Sequence, residues 1–417
     1  MSWAGGAGRL RVMYFAEIFP SRSETWVHHE IDELTRSGCE VRVFATWKKP
    51  ETQTPEEAEL AAKTVYLRRR GVFGTLRGFL ALCRLHFLTR LFTEVLRDPP
   101  TVRNAVQILR DVKNCAMFIH SIREFSPDVC ICHFAGTRST QGMMLHWLDG
   151  TPLVVETHAQ DIFRTSALFA AKVLDASLFF TISKYNIGFI EEHYPSVRAD
   201  LIKLHGCGIP LGVHAFEPAE KADEDEIPIL VSVGRLVAMK GFDFLIRASR
   251  ILRDQGVEHR IRIIGDGPER ETLAALIGEL GVEDSVELMG YQPPAGVRAA
   301  LKVASAVVMP CIWDRVGASQ DGIPVALMEA MASGTPVVST YLSGIPELIE
   351  DGVSGFLAQP EDTEGLADAI NRSLNLAAPE RLRMLEYARD EIERNHDIVK
   401  LTKSLLAEIR TVIPTGR

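Results

Sequence analysis

The sequence predicts an α/β protein built from two parallel-sheet domains, and three observations carry that prediction. Short apolar runs alternate with helical patterns from one end of the chain to the other, the mark of parallel strands joined by crossover helices. At 417 residues the chain exceeds one ordinary core and suggests two domains of about 200 residues each. The segment FEPAEKADEDEIP, residues 216–228, is acidic, holds a proline near each end and reads as the hinge between them.

Taken in order, the strand candidates of the first half are 10–16, 41–45, 129–133, 153–157 and 178–182. In VCICHF, alternation puts Cys130 and Cys132 on one side of a strand, where buried thiols are the expected state because no second ligand pair follows. The hinge contains Asp223 and Asp225 as a D-x-D, which in a charge run reads as solvated. A second series of strands follows at 229–233, 260–264, 286–289, 306–309 and 337–339.

Composition narrows the function classes. Hydrophobic residues make up 46% and charged residues 24%, so the chain should be globular. A net charge of −9 argues against a dedicated nucleic-acid binder, which would carry a basic footprint. Seven cysteines scattered along the chain fit reduced thiols rather than a disulfide framework. The opening MSWAGGAGRLR lacks the apolar core of a secretory signal, and no apolar run approaches the roughly 20 residues of a spanning helix, so a cytoplasmic location is expected.

The richest stretch is SQDGIPVALMEAMASGTPVVST, residues 319–340. Pro324 suits the first helical position and Gly334 a left-handed stop, so a short helix over about 324–332 is expected. The amides of Gly322, Ile323 and Val325 then lie at a helix N-terminus, where unpaired donors and the macrodipole favour an anion such as a diphosphate. Glu329 lies one turn beyond Val325 on the same face, where a carboxylate can accept hydrogen bonds from vicinal hydroxyls, while Asp321 can meet a second polyol. In VSVGRLVAMKGFDFLIRA, residues 231–248, a strand ends at Gly234 and delivers Arg235 and Lys240 to the carboxyl edge of the sheet, where open α/β folds bind ligands. Those two cations can hold a diphosphate and stabilise it as it leaves. RIIGDGPERETL, residues 262–273, turns through Gly265 and Gly267, which permit close approach. As a dinucleotide fingerprint that turn fails, because Arg270 stands where the third glycine belongs.

As a whole, residues 319–350 resemble the retaining GT-B glycosyltransferases of family 4, in which two acids separated by seven residues precede EAMA-G-PVV, and especially the branch that builds exopolysaccharides such as colanic acid. The family's first acid is usually Glu; here it is Asp321, which shortens the reach by about 1.5 Å. The resemblance implies two Rossmann-like domains facing a cleft: residues 1–215 for the acceptor, 229–395 for a nucleotide sugar, and a terminal helix, 396–417, packed back on the first domain. It implies transfer of a sugar from an NDP-sugar, with retention, to a hydroxyl of a polysaccharide or lipid-linked acceptor, without an essential metal or other cofactor. It places Gly265, Gly267 and Tyr291 beside the nucleotide and Arg235 and Lys240 on its diphosphate.

On the acceptor side, PSRSETWV resembles the PKLSETF segment of the exopolysaccharide branch, so Ser23 and Glu24 are candidates for acceptor hydroxyls as well as for helix caps. In VVETHAQDIFR a lone histidine past a buried strand is usually structural, but the H-x-x-D setting resembles that of related transferases, which implies sugar contact for His158, with Asp161 three residues on and His133 lining the same cleft; the customary glycine after the histidine is Ala159. LHGCGIPLGVHAF, residues 204–216, is similar to the family's exit strand without its acid. From Arg68 to Arg97 there are seven arginines and one acid, Glu94, with Arg77, Arg84, Arg90 and Arg97 spaced as one helical stripe among Leu76, Phe79, Leu80, Leu82, Phe87, Leu88, Leu91 and Phe92. Such a segment can lie on an anionic membrane. Two alternatives remain: a nucleotide-sugar epimerase of the same fold, and a non-catalytic scaffold of a membrane assembly.

Overall fold

The computed structural model describes residues 9–21, 24–48, 55–67, 72–97, 100–163, 167–218, 226–316 and 319–414. Their contacts divide the chain into two compact units, Met1–Gly206 with Val399–Arg417, and Cys207–Ile398. Ser23, Asp223, Asp225 and Arg68 to Arg70 lie outside the described residues.

The first unit is a seven-stranded parallel sheet of β1 (Arg11–Ile18), β2 (Glu40–Trp47), β3 (Thr64–Tyr66), β4 (Val129–His133), β5 (Leu153–Thr157), β6 (Leu178–Thr181) and β7 (Ile202–Leu204), in the order β3-β2-β1-β4-β5-β6-β7. The second is six-stranded: β8 (Ile229–Val233), β9 (Arg260–Ile264), β10 (Val286–Gly290), β11 (Ala306–Val308), β12 (Val337–Thr340) and β13 (Phe356–Ala358), ordered β10-β9-β8-β11-β12-β13. Both are doubly wound Rossmann-like sheets in which the order reverses beside the first strand, so ligand crevices open at the carboxyl ends of β1 and β8. The expected α/β architecture is present.

β4 and β5 are buried at every position, as apolar strands of a parallel sheet covered on both faces must be. Cys130 and Cys132 face the same side, their sulfurs 3.7 Å apart. The Thr137–Asp149 helix presses on them through Gly142, where a Cβ would lie 2.7 Å from the Cys132 sulfur. On the opposite face Leu405, Leu406 and Ile409 of the Ile398–Val412 helix join Val12, Tyr14, Val27 and Ile31 in one apolar cluster.

Two expectations need correction. The 207–215 stretch, read as part of the first domain, belongs to the second unit: Ile209 N–H donates to His396 O at 2.9 Å and Ile398 N–H to Ile209 O at 3.1 Å, a bridge that fixes the segment there. The arginine stripe is not one helix either. Val72–Leu82 and Leu85–Arg97 are separate helices broken at Cys83–Arg84. Arg84 is paired with Asp149 (3.2 Å), Arg90 with Asp175 (2.5 Å), and Glu94 sits buried between Arg90 and Arg97. Leu82 and Phe87 belong to the core, whereas Leu80, Leu85, Leu88, Phe92 and Leu96 are exposed.

Candidate functional site

In the second unit the end of β8 is a seam of backbone against backbone. Gly234 N–H donates to Ile264 O at 2.9 Å and Leu236 N–H to Asp266 O at 3.0 Å. At Gly265, with φ +146°, a Cβ would stand 1.8 Å from Gly234 O; at Gly267 it would stand 2.4 Å from Leu236 O. The close approach these glycines permit is therefore of one loop to the other. Gly241, with φ +64°, has Pro310 O where its Cβ would be, at 2.0 Å, and opens the Phe242–Asp254 helix just after Lys240. Only glycine allows both the left-handed turn and that contact.

This packing aims Lys240. Its aliphatic stem lies over Gly234, with Cε 3.2 Å from where a Cβ would be, and its Nζ donates to Asp321 Oδ2 in a short bond. The Cys311 thiol donates to the same oxygen at 3.4 Å. Burial opposes the Lys240 charge, but Asp321 and Cys311 outweigh it and hold the ammonium above its ordinary range. The same environment pushes the Cys311 thiol well up, through burial first and Asp321 second. Ser319 and Asp314 form an isolated antiparallel bridge, and Ile312 N–H donates to Met239 O at 3.0 Å, so the loop carrying Asp321 is tied to the turn carrying Lys240. Arg235, five residues before Lys240, is exposed, and so is Tyr291, which follows Gly290 at the end of β10.

The helix after that loop is Val325–Ser333, and Gly334 closes it at φ +82°. Pro324 takes the capping position with extended ψ of 124°, one residue earlier than expected, so the first turn starts at Val325. Gly322, Ile323 and Pro324 are buried and lead the chain into a helix N-terminus, where Leu327 N–H donates back to Pro324 O at 3.0 Å and the positive end of the macrodipole lies. Glu329 is partly buried one turn on, and burial raises its carboxyl to about 7, with Arg298 of the Pro294–Lys302 helix pulling the other way. Its carboxyl therefore titrates nearer neutrality than an ordinary glutamate.

In the first unit the predicted residues meet a network that sequence reading missed. Tyr14 of β1 donates its hydroxyl to Glu30 Oε1 at 2.5 Å, and Glu30, from the Thr25–Arg36 helix, lies 3.1 Å from His133 Nε2. His133 Nδ1 lies 3.0 Å from His158 Nε2. Glu156 of β5 stands 3.8 Å and 3.7 Å from those last two nitrogens. All five residues are buried. Burial disfavours the charge on His133, but Glu30 and Glu156 overcome it and raise it to about 9. Burial raises Glu156 to about 8, and burial with the neighbouring His133 keeps His158 well below its ordinary value. His133, Glu156 and His158 offer ligand atoms within 4.8 Å of one another, as do Glu30, Glu156 and His205, and a metal could be imagined there. Yet both ring nitrogens of His133 are within hydrogen-bond distance of the network's own partners.

The backbone of His158 is pinned on both sides. Its N–H donates to Asp161 Oδ1 at 3.1 Å, and its carbonyl accepts from Asn186 Nδ2 at 2.5 Å. Asp161 also accepts from Ala159 N–H at 3.1 Å and from Ala135 N–H at 2.7 Å, so its carboxylate binds two loops together. Trp26 and Phe134 flank the His158 ring at 5.3 Å and 4.8 Å between centroids. Glu24 precedes its helix but makes no side-chain cap; both its oxygens take the Arg138 guanidinium, at 3.0 Å and 2.9 Å. A void of about 10 Å³ beside Glu24, Arg138 and His133 has room for about one water. The signal that was available was Glu156: an acid inside the apolar run VVETH requires a buried partner.

Comparison with known proteins gives concordant findings. Residues 214–391 match the family model described as glycosyl transferases group 1. WcaL of Escherichia coli (strain K12), a glycosyltransferase provisionally assigned to colanic acid biosynthesis, is 30% identical over 97% of this chain and 100% of its own length. The amylovoran biosynthesis glycosyltransferase AmsK of Erwinia amylovora is 30% identical over 87% of this chain and 90% of its own. Among solved structures, Anabaena Alr3699/HepE in complex with UDP-glucose superposes with a TM-score of 0.69 at 17% identity, covering 96% of this chain and 99% of that one. The last likeness is one of fold.

Proposed function

Because the chain belongs to the group 1 glycosyl transferases and has their GT-B fold of two Rossmann-like domains, it is a glycosyltransferase, and we propose that it moves a sugar from an NDP-sugar, with retention, to a hydroxyl of a polysaccharide or lipid-linked acceptor. The observation that carries this reading is the second unit's crevice, where Lys240, held charged by Asp321 and stacked on Gly234, shares a loop system with the N-terminus of the Val325–Ser333 helix. A diphosphate meets there a cation, an oriented dipole and the exposed Arg235. The relative bound to UDP-glucose supports a nucleotide-sugar donor.

In this reading the bond from the anomeric carbon to the diphosphate breaks, and a bond to the acceptor oxygen forms on the same face. The acceptor's proton passes to the departing diphosphate. Lys240, Arg235 and the amides of Gly322, Ile323 and Val325 stabilise the leaving charge in place of a metal. Glu329 grips hydroxyls of the nucleotide's ribose, Asp321 acts through Lys240 and on the donor sugar, and Tyr291 and the Gly265–Gly267 turn border the base. His158 orients the sugar. Glu24 serves the acceptor together with Arg138, while His133 and Asp161 act from behind, through the groups they hold.

Thermal shift against UDP-, GDP- and ADP-sugars tests the donor site: a ligand at 100 times its Kd should stabilise by about 2.7 kcal/mol. Lys240→Ala and Glu329→Ala should each abolish the shift, and unchanged binding in both would remove the second unit as donor site.

The same reading includes an anionic membrane surface. Leu80, Leu85, Leu88, Phe92 and Leu96 are exposed on helices that also carry Arg77 and Arg97, a combination suited to a bilayer interface and a peripheral place on the membrane's inner face. No helix among the described residues is long and apolar enough to cross a membrane. Co-sedimentation with phosphatidylglycerol vesicles, lost in Leu85→Glu with Phe92→Glu and absent with phosphatidylcholine, is the expected result.

A further inference from the structure

Behind the sugar contact proposed for His158 stand four buried residues of the first unit, Tyr14, Glu30, His133 and Glu156. Three of them form a line of hydrogen bonds ending on His158 Nε2. We propose that Glu30 and His133 form a buried positioning relay that fixes the His158 ring and keeps its proton on Nδ1, so that His158 meets the sugar as a hydrogen-bond donor.

Donors and acceptors along the line decide the tautomer. Glu30 Oε1 receives the Tyr14 hydroxyl at 2.5 Å, and as a carboxylate it can also accept the His133 Nε2–H at 3.1 Å. The Tyr14 ring stacks on His133, centroids 5.9 Å apart and planes 15° from parallel, which holds the imidazole in line. With Nε2 donating to Glu30, His133 Nδ1 faces His158 Nε2 at 3.0 Å and donates in turn when the ring is an imidazolium, the form favoured by the two acids that flank it, Glu30 at 3.1 Å from Nε2 and Glu156 at 3.8 Å from Nδ1. His158 Nε2 must then be the acceptor, which puts its own hydrogen on Nδ1. The charge states agree. Glu30 is held below its ordinary range, burial opposing and His133 and Tyr14 prevailing, while His133 is raised to about 9 and His158 is kept neutral.

The rest of the environment removes other freedoms. The backbone of His158 is fastened by Asp161 and Asn186, and its ring lies among Trp26, Phe134 and His133. With main chain and ring plane set, the tautomer is the remaining variable, and the buried relay sets it. Free histidine in water favours the opposite tautomer, so the effect is measurable. The tautomer stands on the first unit alone; its use by a sugar rests on the transfer reading given above.

The test is nitrogen NMR of full-length protein labelled at histidine, with the His158 signals assigned from His158→Gln, alongside steady-state kinetics. His158 should show a protonated Nδ1 and an unprotonated Nε2, changing toward the Nε2–H form in His133→Phe and, without loss of volume, in Glu30→Gln. Glu30→Gln should lower kcat about tenfold or more, the effect of one charge-assisted hydrogen bond, with the KM for the nucleotide sugar within about twofold. Glu30→Asp should recover part of that loss. A wild-type Nε2–H tautomer overturns the proposal, as does a Glu30→Gln protein that melts earlier yet keeps both tautomer and kcat. Retention of one equivalent of zinc, lost in His133→Phe, overturns it too, because a metal would occupy the relay's nitrogens. If the tautomers behave as expected but no nucleotide sugar is turned over, the relay stands and the transfer reading falls.

Discussion

The two units present polar groups at the carboxyl ends of similarly wound sheets, by opposite means. In the second unit the crevice is shaped by missing side chains: Gly241, Gly265 and Gly267 let backbone lie on backbone, Gly234 leaves room for the Lys240 stem, and Lys240 is paired with Asp321 beside that seam. In the first, side chains from β1, β4, β5 and the Thr25–Arg36 helix converge in a buried network. The diphosphate that we propose for that crevice would need only main-chain donors and a cation held still, and local chain geometry provides both. Setting one imidazole needs partners on several elements, each satisfied, because an orphaned polar atom in the core is costly.

That contrast can be broken at its stiffest point. Gly265→Ala places a methyl group against Gly234 O at a φ hostile to side chains, and should destabilise the second unit by about 3 kcal/mol in urea denaturation. A loss under about 1 kcal/mol would mean the seam yields easily. In the first unit, Asp161→Ala removes the acceptor of three buried amides and should lose about 2–3 kcal/mol, with hydrogen exchange quickening at Ala135, His158 and Ala159. Gly142→Ala pushes into Cys132 and Leu153 and should lose about 1–2 kcal/mol, a control for ordinary overpacking.

The gentlest probe is Glu329→Gln. The Glu329 carboxyl titrates near 7 in the folded protein and at its ordinary, lower value when unfolded, so its contribution to stability is fully present below the unfolded value and fades as pH rises through about 7. The Gln variant should therefore melt higher relative to the parent at pH 8 than at pH 5. A difference of the opposite sign would place a compensating cation beside Glu329.

How much could be read beforehand follows the same division. β4, β5, β8 and β9 begin and end where the apolar runs do, because a strand covered on both faces allows little else. β3, β7 and β13 were missed: three residues are too few to show a period. The placement of Lys240 in a turn, Asp321 in a loop and Glu329 one turn into a helix was legible because turn and cap chemistry sets each within a few positions of a glycine or proline. Glu30, Glu156, His205 and Tyr14 were not, since they meet only in the folded unit: strand order sets β1 beside β4 and β4 beside β5, and the Thr25–Arg36 helix and the chain after β7 bring Glu30 and His205 to them. The arginine spacing misled for a related reason: it matched a helix, but the chain breaks at Cys83–Arg84 and Arg84 and Arg90 find acids elsewhere in the unit.

The carboxylate of Asp161 grips the loop after β4 and the loop after β5 at once. Those loops therefore cannot be redesigned one at a time: a change that widens the space around Phe134 drags His158 with it. Attempts to broaden what this protein accepts should vary both loops in one library and leave the aspartate alone.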